Sequence, residues 1–190
     1  MNDKQLIQLA KEYCVHYHNG VYRKGSNKPF SEHPIEVARI LDRFGYSDVT
    51  TQCIALLHDT VEDTTLVPKE IKSRFGFQIA FGVGILSKNT IDDDTYKFLS
   101  YAISDIDWKS VSKNDLYKAR LVHATKEVRR IKIADTIDNT RDLTVLDKGG
   151  IERKIRDAQE LYIPLGKIIA PIMVKELEGN ISNYLDSLTR

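Results

Sequence analysis

Charge of either sign is in no excess. The chain sets 28 Lys and Arg against 27 Asp and Glu, a formal net charge of +1, so no bulk field draws it to nucleic acid or to an anionic membrane. Cysteine is scarce: Cys14 and Cys53 are the only two, and both fall in stretches of helical periodicity. They form neither a disulfide framework nor a metal-type spacing, and a reduced, cytoplasmic setting is the expectation. Long apolar runs are missing as well. The opening Met1-Asn-Asp-Lys-Gln lacks the apolar core of a signal peptide. The most apolar late stretch, 161 to 174, contains Pro164, Lys167 and Pro171 and is too short to span a bilayer. No internal repeat or low-complexity segment stands out. What is left is 190 residues, 42% apolar and 29% charged, enough for one globular domain with a sizeable core.

Periodicity predicts helices almost throughout. Leu6, Leu9, Ala10, Tyr13, Cys14 and Tyr17 recur at helical spacing over 3 to 18. A loop rich in Gly, Asn and Pro follows and carries Arg23, Lys24 and Lys28. Pro34 suits the first position of the next helix, which places His33 at its mouth, and Gly45 suits its stop. Asp48 or Thr50 can cap a central helix running through Thr64. Pro68 to Phe75 reads as a short helix ended by Gly76, and 77 to 87 as a buried segment in which Gly82 and Gly84 permit close packing. Residues 88 to 113 are polar, without a clear period, and read as an irregular excursion. Helical patterns resume at 114 to 124, at 130 to 143, and in closing segments at 151 to 162 and 165 to 187, which read as scaffold. The fold class expected is all-α, a single domain over 1–190 with its core at about 5–165 and C-terminal helices 165–188 packing on it.

Two stretches carry chemistry. In Ala55-Leu-Leu-His-Asp-Thr-Val-Glu-Asp-Thr64, four groups that bind metals or move protons, His58, Asp59, Glu62 and Asp63, fall within six residues. On one continuous helix, at about 100° per residue, Ile54, Leu57 and Val61 form an apolar side, and the imidazole and three carboxylates form the other. Carboxylates so crowded repel one another unless a cation sits among them or some are protonated. In Arg130 to Leu143, Asp135, Asp138, Asn139 and Asp142 share a helical face. Asp135 follows Ile133-Ala134 and so emerges from a buried stretch, where a carboxylate needs a partner. A capped, salt-bridged helix accounts for Asp138 and Asp142 but not for Asp135.

A histidine before a helix, an adjacent His-Asp pair and a later Asp on another helix resemble the H…HD…D signature of the HD-superfamily metal phosphohydrolases. More narrowly the chain resembles the small alarmone hydrolases and the hydrolase domain of RelA/SpoT proteins. The resembling segments are His18-Asn-Gly-Val-Tyr-Arg-Lys, Pro29-Phe-Ser-Glu-His-Pro, Ala55 to Thr64 and Ala134-Asp-Thr-Ile-Asp-Asn-Thr-Arg-Asp-Leu. The pair Glu62-Asp63 matches that hydrolase subgroup in particular. Departures are Phe30 where the family usually has Tyr, a basic loop one residue longer between Arg23 and His33, and the excursion at 88 to 113.

The resemblance implies a multi-helix HD-domain fold and one divalent metal ion, Mn²⁺ first among candidates, held by His33, His58, Asp59 and Asp135. It implies Glu62 and Asp63 as the catalytic pair that orients or deprotonates the attacking water. Arg23, Lys24 and Asn139 would bind substrate. The implied reaction is hydrolysis of ppGpp or pppGpp at the 3′-phosphorus to GDP or GTP and pyrophosphate, by a stand-alone hydrolase acting on a small-molecule nucleotide. The alternatives are an HD phosphohydrolase on another nucleotide (ppApp, NADPH at its 2′-phosphate, a deoxynucleotide) and a nucleotide sensor without catalysis. Neither nucleic acid nor membrane is an expected partner.

Overall fold

The computed structural model describes residues 1–88 and 110–189, so most of the excursion expected at 88 to 113 lies outside the described residues. Helices α1 (Asp3–Tyr17), α2 (Glu32–Arg43), α3 (Val49–Leu57), α4 (Thr60–Asp63), α5 (Pro68–Phe75) and α6 (Phe77–Leu86) come first. Then follow α7 (Lys113–His123), α8 (Lys126–Thr140), α9 (Lys148–Asp157), α10 (Ile163–Ile169) and α11 (Pro171–Ser187). A 3₁₀ turn at Leu143–Val145 joins α8 to α9, and a π-helical turn at Ala158–Tyr162 joins α9 to α10. The only extended pairing among the described residues is an isolated antiparallel bridge, Tyr22 with Pro29. The all-α expectation holds.

Helix α3 is the axis. Every residue from Thr51 to Leu57 is buried, as expected of a helix covered on all sides. Helices α1, α2, α6 and α8 all pack against it. The α6 contact is close because Gly82 has no side chain: a Cβ there would lie 2.4 Å from Ile54 Cδ1. Helix α8 runs beside α3 with Ile131, Ile133, Ala134 and Ile137 in the core. Its outer side is covered by α10 and α11, and Asn180 of α11 donates to the Ile137 carbonyl at 3.1 Å, near the end of α8.

Local chemistry sets the boundaries. Asp48 accepts from the Thr51 amide at 2.9 Å and caps α3. Gly76, at φ +87°, closes α5 in a conformation that favours glycine, as its position suggests. Helix α2 begins two residues before Pro34, so that proline lies within the first turn rather than at its first position, and His33 is inside the helix mouth.

The largest departure is in the central stretch, where the expected single helix is broken. His58 Nδ1–H donates to the Ala55 carbonyl at 2.7 Å, and the Thr60 hydroxyl donates to the Leu57 carbonyl at 2.6 Å. Side chains thereby take carbonyls at the end of the helix, and such local bonds compete with the backbone ladder. The chain turns at His58-Asp59 before α4 resumes. At the end of α8, Asp142 is likewise off the helix: it is exposed and accepts from the Thr144 amide at 3.2 Å.

Candidate functional site

The mouth of α2, the turn after α3 and the middle of α8 meet at one point. His33 Nε2 lies 3.1 Å from Asp135 Oδ1 and 3.5 Å from Asp59 Oδ2. His58 Nε2 lies 3.2 Å from Asp59 Oδ2 and 3.9 Å from Asp135 Oδ1. The donor atoms of His33, His58 and Asp135 all fall within 4.8 Å of one another, with Asp59 at their edge. The backs of the imidazoles are fixed: His58 Nδ1 is committed to Ala55, and His33 Nδ1 lies 2.6 Å from Asp138 Oδ2. With Nδ1–H committed to a carbonyl, His58 turns Nε2 towards the cluster, where it can bind a metal once it carries no proton. That atom is buried and has no hydrogen-bond partner among the described residues. Two imidazole nitrogens converging with two carboxylates, each ring fixed from behind, fit a divalent metal ion.

This cluster lies in a cavity of about 670 Å³. Glu62, Asp63, Arg23, Lys24 and Asn139 line the same cavity, so every site residue expected from the sequence is gathered in one place. Their connections differ from the expectation in detail. Arg23 reaches back to Asp138 at 2.8 Å, on a loop tied by the Arg23 amide to the Lys28 carbonyl at 3.0 Å. Asn139 donates to Asp135 Oδ1. The Glu62 carboxylate accepts from the Lys88 amide at 2.8 Å, and Asp63 is exposed at the rim.

A profile of the HD domain family matches residues 10–167. The chain belongs to the HD-domain family. Among its relatives are a GTP pyrophosphokinase rsh of Brucella ovis, 33% identical over 187 residues, and a guanosine-3′,5′-bis(diphosphate) 3′-pyrophosphohydrolase of Aquifex aeolicus, 32% identical over 183 residues. The alignments cover 97% and 94% of this chain but only 23% and 24% of those proteins. The chain therefore spans about a quarter of the curated relatives' length. A solved structure described as a metazoan ortholog of SpoT that hydrolyzes ppGpp superposes with a TM-score of 0.72 at 21% identity, covering 94% of this chain and 95% of that one. That likeness establishes the fold. HD-family hydrolases bind a divalent metal, and the His33–His58–Asp135 group is where this HD domain could hold one. No helix among the described residues is long and apolar enough to cross a membrane.

Several residues of this HD-domain site were not singled out by the sequence. Lys132, one turn before Asp135, donates to Asp135 Oδ2 at 2.7 Å. Its ammonium lies 5.7 Å from the Tyr117 ring and 5.0 Å from that of Tyr162, both within cation–π range. Burial disfavours the charged form of Lys132, but Asp135 reverses this and raises its pKa well above the ordinary lysine value. Burial likewise works against the Asp135 carboxylate, yet Lys132 and the His33 hydrogen bond hold it well below the usual range. Asp138, which a capped, salt-bridged helix accounted for at the level of sequence, is buried and joins Arg23 to His33. The closing helices are more than scaffold: Arg153, Lys154 and Tyr162 line the cavity. Only the i, i+3 spacing of Lys132 and Asp135 was available as a signal. Nothing distinguishes Arg153 or Lys154 from an ordinary solvated helix face.

Proposed function

We propose that this HD domain is a metal-dependent (p)ppGpp 3′-pyrophosphohydrolase that works in the cytoplasm, folds as one unit over 1–190, and uses Mn²⁺. The observation that carries the reading is the buried Nε2 of His58 converging with His33 and Asp135, with a carboxylate pair on the wall of the same cavity. The Aquifex relative, aligned along 94% of this chain and named for that reaction, supports the substrate.

His33, His58, Asp59 and Asp135 would hold the ion, which when bound would supply Lewis-acid activation of the phosphoryl group and of the attacking water. Glu62 takes the proton of the attacking water. Its pKa is raised, first by burial and then by the nearby Asp59 and Asp63 charges, although the Lys88 amide pulls the other way. A raised carboxylate is a better proton acceptor near neutral pH. Asp63 orients the water from the rim. Attack at the 3′-phosphorus breaks its bond to the ribose O3′. The water oxygen leaves in pyrophosphate, and O3′ takes a proton to give GDP. Arg23 and Lys24 engage the base or the phosphates, and Asn139 the ribose or a phosphate.

The test is an assay of metal-loaded protein on ppGpp, with ppApp and NADPH in parallel and products identified. Mn²⁺-dependent release of GDP and pyrophosphate, abolished by chelation, is expected. Cleavage of NADPH or ppApp without cleavage of ppGpp would reassign the substrate. Tight binding without turnover of any of the three would make the protein a sensor.

A further inference from the structure

At the end of α6 two hydrogen bonds have exchanged partners. In a continued α-helix the Lys88 amide would donate to the Gly84 carbonyl, four residues earlier. Instead α6 stops at Leu86, and Ser87 turns to φ −75°, ψ 106°. The turn is closed locally, with the Ser87 amide and hydroxyl both donating to the Val83 carbonyl at 2.9 Å. The Lys88 amide, released from the helix, donates to Glu62 Oε2 at 2.8 Å. The Gly84 carbonyl, deprived of that amide, accepts from Arg120 Nη1 at 3.0 Å, and Arg120 Nη2 reaches the Lys88 carbonyl at 3.3 Å.

Arg120 stands on α7 and is wholly buried, at 0% exposure, with its guanidinium 5.5 Å from the Tyr117 ring. Taking a guanidinium out of water is costly, so its place among backbone carbonyls calls for a reason. A flat fork of donors can span two carbonyls at once, which a single ammonium cannot.

We infer that Arg120 is a positioning residue for Glu62, acting through the backbone of Lys88. It stands in for the Lys88 amide at Gly84 and holds the Lys88 carbonyl, so the Lys88 N–H stays aimed at the carboxylate. Without it, the simplest repair for the orphaned Gly84 carbonyl is one more helical bond from Lys88, and that repair takes the amide away from Glu62. The catalytic consequence rests on the reading of Glu62 as proton acceptor; the structural link does not.

Arg120→Lys keeps the charge but cannot hold both carbonyls. The expected result is a kcat lower by about tenfold or more, with KM and metal content per chain unchanged. In a Glu62→Gln background the same substitution should cost no further kcat, because both changes act on one contact. Independently of activity, the Lys88 amide resonance in a ¹H–¹⁵N spectrum should move in the same direction in Arg120→Lys as in Glu62→Gln. Losses that multiply in the double variant, or an unmoved Lys88 resonance in folded Arg120→Lys protein, overturn the inference. Should Arg120→Lys fail to fold, the link can be cut from the other side. Lys88→Pro removes the N–H and must turn over about tenfold more slowly than Lys88→Ala; equal rates overturn the inference. A fully active Glu62→Gln whose Lys88 resonance still follows Arg120 would remove Glu62 from the chemistry and leave the positioning contact standing.

Discussion

The two ends of the acidic stretch 58 to 63 have opposite electrostatics. At one end Asp59 faces two imidazoles. Burial works against its charge, but His58 and His33 outweigh that and lower its pKa. One turn later burial and the Asp59 charge win instead: they raise Glu62 against the Lys88 amide, and Asp63 against the two imidazoles. The same residue types, a few positions apart, are made into a permanent anion and a proton acceptor by what lies opposite them. The His58-Asp59 turn produces this division. The turn itself presents the imidazole and Asp59 to α2 and α8, and α4 beyond it carries Glu62 towards Lys88.

The largest effects should come from the anionic end. Asp59→Ala is expected to lose bound metal and activity together, read by metal content and turnover. Asp135→Ala should do the same and also destabilise the fold, because it leaves the Lys132 ammonium between two tyrosine rings without its carboxylate. Breaking such a pair costs about 3 kcal/mol, or about 6 to 12 °C in Tm for a chain of this size. If Asp59→Ala lowers Tm as much as Asp135→Ala, the distinct structural role given to the Lys132–Asp135 pair is wrong.

At the other end the effect should fall on rate alone. Glu62→Gln is expected to keep its metal and lose about 10²- to 10⁴-fold in kcat; loss of metal in that variant would erase the division between the two ends. Asp138→Asn should be milder. Asp138 touches the site only from behind, through His33 Nδ1 and Arg23. Partners in that position are worth about 10- to 100-fold in metal affinity, measurable by titration against a competing chelator.

The resemblance of the motifs made His33, His58, Asp59 and Asp135 legible, and the residues gave part of it independently. Asp135 interrupts an apolar run, so its burial and its need for partners follow from pattern alone. The turn at His58 could not be read, because the helical periodicity of Ile54, Leu57 and Val61 continues across it and the break is made by side-chain bonds to carbonyls. Asp138 was visible as a position but not as a role, since its partner His33 is 105 residues away. Arg153 and Lys154 are further still from the motif segments in character. An exposed basic helix and a cavity wall have the same sequence, and only the docking of α9 over the site separates them.

The smallest effect concerns the proton that occupies the site when metal does not. Burial alone would push the His33 imidazole down, but its hydrogen bonds to Asp135 and Asp138 raise its pKa to about 9. His58 is raised too, by Asp59 against its burial, while burial lowers His18 and partly opposes them. A histidine in the unfolded chain titrates near about 6.5. The folded state therefore holds the His33 proton more tightly than the unfolded state. The stability this contributes is complete below about pH 6.5 and is lost as pH rises through about 9. Asp138, lowered chiefly by His33 against burial, adds stability above the ordinary carboxylate range that disappears in acid. Metal-free protein in chelator should accordingly show a Tm that declines by a few degrees between pH 6.5 and 9. Saturating Mn²⁺ should reverse the slope, because the ion takes the deprotonated imidazoles that alkali provides. Asp138→Asn should flatten the metal-free decline, having removed one of the two carboxylates that hold the proton on His33. A metal-free Tm that stays level or rises across that window would mean that the two imidazoles are already neutral, and that the site waits for its metal with bare nitrogens rather than with protons.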